Sequence, residues 1–230
     1  YHKTTQVYKA LGKSKAKDWI HEKGTFANAF PVQTVSSNVN TFFITDDLVE
    51  LSKSFNIGQK LSPFQNSGVF IGGKVYTEKT SAAYDGKRTV LKDILETHEV
   101  PEEFYISPND YPKWDYLKGA KKEVRTAKSG FTYNYSEGGM IFPDALDNTS
   151  RTIITGEGGK SPSRFKHVVQ SNKRLRRLTP VELERLNMFP DNHTKLEGIS
   201  ATKRAFFMGN ALVVGVVERI GNALFKKINS

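Results

Sequence analysis

The sequence predicts an α+β chain in which a β-rich body is followed by C-terminal helices. Three observations predict it: two β-rich runs around a Gly72-Gly73 turn, a change from strand-forming to helix-forming texture after Leu175, and a capping box at Thr179-Pro180-Val181-Glu182. A chain of 230 residues suits one domain or two modest ones and can bury a core of its own. Its apolar fraction of 37% beside 25% charged residues is ordinary for a folded protein.

In chain order, residues 16–22 suit a short helix, followed by a loop through Phe30-Pro31-Val32. Residues 41–45 read as a strand, and 46–51 as a strand or a helical turn. Residues 68–77 carry the clearest hairpin signal. Val90, Leu91, Ile94 and Leu95 give residues 89–96 helical spacing, and Glu102-Glu103 after Pro101 suits a helix start, where the macrodipole favours acids. Further hairpin material lies at 131–135, 151–155 and 165–169.

The capping box, with Pro180 at the first helical position and Glu182 at the third, starts a helix through Leu183, Leu186 and Met188 that stops before Phe189-Pro190. A last helix is expected from Asn210 as N-cap, with Val213, Val216, Val217, Ile220, Leu224 and Ile228 recurring at three- or four-residue spacing. Leu212, Val214 and Phe225 fall off that stripe. Such a helix is apolar on more than one side and suits docking on something larger.

The net charge of +10 is concentrated. Residues 113–128 hold a local excess of +4 and residues 151–177 one of +7, so the rest of the chain nets −1. The first segment runs into Phe131, Tyr133, Tyr135 and Ser136 to Gly139. The second holds Thr152, Thr155, Ser161, Ser163 and a Gly156-Glu157-Gly158-Gly159 turn. Hydroxyls, backbone amides bared by glycine, and Arg or Lys are the groups that contact phosphates and base edges, so the pattern points to nucleic acid.

Other chemistries are excluded or unsupported. With no cysteine there is no disulfide, thiolate nucleophile or Cys-based metal site in this chain. His2, His21, His98, His167 and His193 have no metal-ligand spacing, and no local motif supports a Ser-His-Asp arrangement, so no catalytic or metal-binding residue is expected. The glycines at 156–159 lack the Lys-Ser/Thr of a phosphate-binding loop and read as a turn. The most apolar run, 205–217, is shorter than the ~20 residues a membrane span needs. At Met208-Gly209-Asn210-Ala211, a glycine permits close approach, and the helix-start amides and Asn side chain suit a carboxylate or hydroxyls.

Residues 174–193, RLRRLTPVELERLNMFPDNH, closely resemble motif IX of the DNA (cytosine-5)-methyltransferases, and residues 207–220, FMGNALVVGVVERI, resemble their motif X. The two stand in the family's order and at its spacing. Arg151-Thr152-Ile153-Ile154-Thr155 resembles the segment that closes the family's target recognition domain. The resemblance implies a recognition domain over 31–170, a motif IX region over 171–200, and a motif X helix over 201–230 that docks on an α/β catalytic domain, with 1–30 a remnant or linker of that domain. Its Pro-Cys nucleophile loop and glycine-rich cofactor motif have no match here. The implied function is sequence-specific recognition for methyl transfer from S-adenosylmethionine to cytosine in duplex DNA, within a restriction-modification system, by a subunit or fragment inactive alone. The alternative is a stand-alone DNA-binding module or regulator.

The implied partners are double-stranded DNA and a separate catalytic domain or subunit, with no membrane and a cytoplasmic, nucleoid-associated setting in a bacterium or phage. S-adenosylmethionine is expected only together with that catalytic part, beside Gly209, Asn210 and Ala211. In the family, Arg176, Thr179, Glu182 and Arg185 of motif IX are mainly structural. The expected DNA contacts are Lys121, Lys122, Arg125, Ser136, Glu137, Thr155, Ser161, Ser163, Arg164 and Lys166, with Arg164 the guanine contact. Thr155 departs from the family pattern in being followed by Gly156 rather than Leu.

Overall fold

The computed structural model describes residues 13–44, 47, 49, 53 and 64–230, in two units. The first comprises Tyr1–Gly86 with Glu218–Ser230, the second Lys87–Val217.

In the first unit, helix α1 (Lys13–Asp18) runs into a wide helical turn, Trp19–Lys23, and then α2 (Thr25–Ala29). Three antiparallel strands follow, β1 (Val32–Phe43), β2 (Ser67–Ile71) and β3 (Lys74–Ala82), in the order β1-β3-β2. Gly72 and Gly73 take φ of +57° and +78° and set Ile71 opposite Lys74. Only residues tolerant of positive φ make so tight a link, and the expected hairpin is present. Residues 41–43 of the strand expected at 41–45 end a longer one that begins where a loop was expected, and Thr45 lies outside the described residues. Buried Glu78 of β3 accepts from Thr34 at 2.5 Å and pairs with His21 at 3.1 Å, tying the helical turn to the sheet. The 46–51 expectation lies largely outside the described residues.

In the second unit, α3 (Leu91–Ile94) is a single turn where 89–96 was expected to be helical. The tertiary structure claims its end: Arg185 Nη1 donates to the carbonyls of Ile94 and Leu95 at 3.0 and 3.2 Å, and Glu96 N donates to Glu182 at 2.9 Å. Short turns at Glu102–Phe104 and Pro108–Asp110 lead into α4 (Tyr111–Lys118). Two separate hairpins follow, β4 (Lys121–Thr126) with β5 (Thr132–Glu137), and β6 (Val168–Ser171) with β7 (Arg174–Arg177). The expected boundary at 170/171 falls inside β6. Segment 151–155, expected to be hairpin material, pairs with no strand among the described residues and ends in the turn at 155–158.

Helix α5 (Pro180–Leu186) has the expected capping box, with Thr179 accepting from Glu182 N and Glu182 accepting from Thr179 N. Helix α6 (Ala201–Asn210), started by Ser200, was not expected, and it overturns the reading of Asn210 as an N-cap. Asn210 is the last residue of α6, its Nδ2 donating back to Phe206 O at 2.9 Å. The chain extends at Ala211 before α7 (Val214–Ile228). The core of this unit gathers Leu91, Ile94, Val169, Leu178, Leu183, Ala205 and Met208, with a second cluster at Ile106, Trp114 and Val168. Among the described residues no helix is long and apolar enough to cross a membrane.

Candidate functional site

The frame of the site is the β7–α5 corner. Arg176 and Glu182 are fully buried and meet in a two-pronged ion pair at 2.8 and 2.7 Å. Arg185 grips Asp191 at 2.8 and 2.6 Å and holds its carboxyl below the ordinary value. Burial pushes Glu184 up, but hydrogen bonds from Thr194 and Arg204 outweigh it and hold it low. Arg176, Thr179, Glu182 and Arg185 thus face protein groups.

The basic segments turn inward to an extent their composition does not suggest. Lys118, Lys166, Arg176 and Arg177 are buried. Arg151 holds Asp144 through two 3.0 Å bonds and reaches Phe165 O at 2.9 Å. Arg164, expected to read guanine, donates to the carbonyls of Leu117 and Gly119 at 3.2 Å and to Gly138, and lies 3.3 Å from Glu137. Lys166 Nζ is taken by the carbonyls of Gly159 and Ser161 at 2.8 and 2.7 Å. Arg164 thus pins the 159–166 loop to the end of α4 and the end of β5, and Lys166 closes the loop on its own carbonyls, which would otherwise lack donors. Ser163 Oγ accepts from Phe165 N at 3.3 Å within the same loop, while Ser161 and Thr155 remain exposed.

Lys118 beneath this loop donates to Lys166 O, and burial, reinforced by nearby Arg151, pushes its amine down to about 8. Below that pH both the folded and unfolded chains carry the proton, and the buried charge burdens the fold in full. Between about 8 and 10.5 only the unfolded chain retains it, so stability rises with pH. Lys118→Met is therefore expected to be stabilised relative to the parent near neutrality, by a margin that shrinks by about 2–3 kcal/mol as pH rises through that window. Urea midpoints of both proteins at pH 7.5 and 10 check this; a pH-independent margin refutes it.

The β4–β5 hairpin holds the other expected DNA contacts. Lys121 lies 3.3 Å from Glu137 and over the Tyr116 ring, and Arg125 is bonded to Glu123 and stacked on Tyr135. Hydrogen bonding from Tyr135 is the chief reason the Glu137 carboxyl titrates low. Lys122 and Ser136 are exposed on the opposite face. Of the expected residues, the structure thus leaves Lys122, Ser136, Thr155 and Ser161 open to solvent and commits Lys121, Arg125, Glu137, Arg164 and Lys166 to protein partners.

The junction after α6 forms from two close approaches. A Cβ on Gly209 would lie 2.5 Å from Thr155 Cα and N, and one on Gly158 would lie 2.7 Å from Ala205 Cβ. Both glycines let α6 lie against the 154–158 backbone. Where a Cβ of Gly209 would stand, this chain's own 154–155 backbone already packs, and Gly209 also lines the cavity beside it. Ala211, with Thr152, Ile153, Asn187, Met208 and Val213, lines a cavity of about 320 Å³. Exposed Asn210 and the cavity wall fit one edge of an S-adenosylmethionine site, offering an amide oxygen and apolar surface. Among the described residues no cluster of His, Asp and Glu could hold a metal.

Residues 56–226 match the family described as C-5 cytosine-specific DNA methylase. The chain belongs to that family. Type II methyltransferase M.Sau3AI of Staphylococcus aureus is 39% identical over 232 residues, which take in 100% of this chain and 53% of the relative. Type II methyltransferase M.HpaII of Haemophilus parainfluenzae is 23% identical over 206 residues, 82% of this chain and 52% of the relative. The chain spans about half the length of the curated relatives it matches. Among solved methyltransferases, S. pombe Dnmt2 aligns at a TM-score of 0.44 with 14% identity, over 68% of this chain and 51% of its own. Entamoeba histolytica EhMeth aligns at 0.44 with 12% identity, over 89% and 56%.

Proposed function

We propose that this chain is the DNA-recognition part of a cytosine-5 DNA methyltransferase of a restriction-modification system, acting with a catalytic part that supplies the thiolate. One observation carries the reading: a member of this family without a single cysteine has no nucleophile of its own to attack the cytosine ring. Residues 31–170 are the recognition region, 171–200 the frame and 201–230 the docking tail. Helix α7 supports this, since it buries none of its residues and leaves Val217, Leu224, Phe225 and Ile228 exposed, an apolar surface that suits a partner domain.

When bound, S-adenosylmethionine supplies the methyl group; Asn210 and Ala211 would line one edge of its site. Thr155 and the exposed lysines Lys113, Lys122, Lys128, Lys160 and Lys173 would hold the duplex backbone while the target base is flipped out. Arg164 and Lys166 act here as positioning residues for the loop.

The test is methyl transfer from tritiated S-adenosylmethionine to duplex DNA by this chain, by the polypeptide bearing the Pro-Cys and glycine-rich motifs, and by the two mixed. Transfer only in the mixture is the expected result. Binding of DNA by this chain with no transfer in any combination would overturn the reading in favour of a stand-alone DNA-binding regulator.

A further inference from the structure

The β4–β5 ribbon has two faces of opposite chemistry. Lys121, Glu123 and Arg125 sit opposite Glu137, Tyr135 and Tyr133, and the charges on that face are spent on one another. The other face pairs Lys122 with Ser136, Val124 with Asn134, and Thr126 with Thr132. All six side chains are exposed, Val124 at 70%, and none has a hydrogen bond or ion pair among the described residues. An unpaired face of amide, hydroxyls, one ammonium and one apolar group has no intramolecular use. It lacks any carboxylate, so a polyanion meets no repulsion there.

Duplex DNA supplies the matching surface. The major groove admits a two-stranded β-ribbon, and its base edges offer the donors, acceptors and thymine methyl that such side chains engage. The loop that sequence composition favours for this task has its guanidinium already held by Leu117, Gly119 and Gly138. Those same bonds brace the end of β5, and a rigid support is what a reading element needs.

We propose that this face of the β4–β5 ribbon enters the major groove and reads sequence, with Asn134 contacting an adenine and Lys122 a neighbouring phosphate. The inference rests on the reading of this chain as the recognition part, and it adds the surface and the residues that set the target. Asn134 suits adenine because its amide both donates and accepts, matching N7 and the N6 amino group together.

The experiment is selection from a randomised duplex pool by the full chain, followed by fluorescence anisotropy on the selected and scrambled duplexes. Asn134→Ala is expected to lose roughly tenfold preference at one A·T position while binding scrambled duplex as before. Lys122→Ala is expected to weaken both duplexes alike and lower the salt slope by about 1. Both sites are exposed, and circular dichroism of each variant checks that the ribbon is intact. If Asn134→Ala keeps the parent's preference at every position, the ribbon does not read bases, and the recognition role itself still stands. If the parent chain selects no sequence at all, that role fails too.

Discussion

Glu182→Ala is expected to destabilise the second unit by about 3–5 kcal/mol, close to the loss from removing one partner of any buried ion pair. The carboxylate is completely buried and serves four donors at once: Arg176 through both amino groups, Thr179 N at 2.9 Å and Glu96 N at 2.9 Å. Deleting it strands a guanidinium that is 1% exposed and whose Nε already lacks a partner. Glu182→Gln keeps the shape and one acceptor oxygen, so it retains only one of the two backbone bonds and loses the charge, and its loss should fall between the parent and alanine. Replacing Arg176 by Met together with Glu182 by Leu removes both charges and should recover part of the loss. Urea unfolding of the four proteins checks the ordering. A loss below about 1 kcal/mol for Glu182→Ala would show that the corner does not depend on the pair.

That corner was legible because its signals are local. Thr179, Pro180 and Glu182 lie within one helical turn, and both bonds of the box close inside it. The Gly72-Gly73 hairpin is local in the same sense. Helix α6 was hidden for the opposite reason. Gly209 in its last turn weakens the helical signal, and Asn210 after it resembles a cap. The helix tolerates the glycine because the backbone at 154–155, more than fifty positions earlier, occupies the space a side chain would need. No window of sequence contains both partners.

The partners of the charges are hidden from the sequence on the same principle. A sequence displays the arginine but not the carbonyl that will receive it. Arg164, Lys166 and Lys118 all end on backbone oxygens, those of Leu117, Gly119, Gly138, Gly159, Ser161 and Lys166. Within the two basic segments the cations left facing water are mostly the plainer lysines. Asn134, Thr126 and Thr132 carried no signal in composition. Strand alternation could have found them: in β4 and β5 every second residue falls on the face opposite the paired charges.

Gly209→Ala is expected to cost about 2–3 kcal/mol, a typical overpacking penalty, although the same change in an open helix would stabilise by about 1 kcal/mol. The sign is decided by what the new methyl meets. Thr155 Cα and N at 2.5 Å and Ile154 C at 2.6 Å are all backbone, so no rotamer change relieves the clash and α6 must lift. Gly158→Ala strikes the same interface from the other side, against Ala205 Cβ at 2.7 Å and Thr202 Cα at 2.8 Å. The double variant should therefore cost less than the sum of the two, since a helix already lifted by one substitution has room for the second. Urea unfolding of the chain on its own separates this from a cofactor role. Were Gly209 kept open for S-adenosylmethionine, alanine would leave the isolated chain as stable or more so, and its cost would appear only as lost cofactor affinity in the reconstituted enzyme. A loss of stability in the isolated chain assigns the missing side chain at Gly209 to the packing of α6 on the 154–155 backbone.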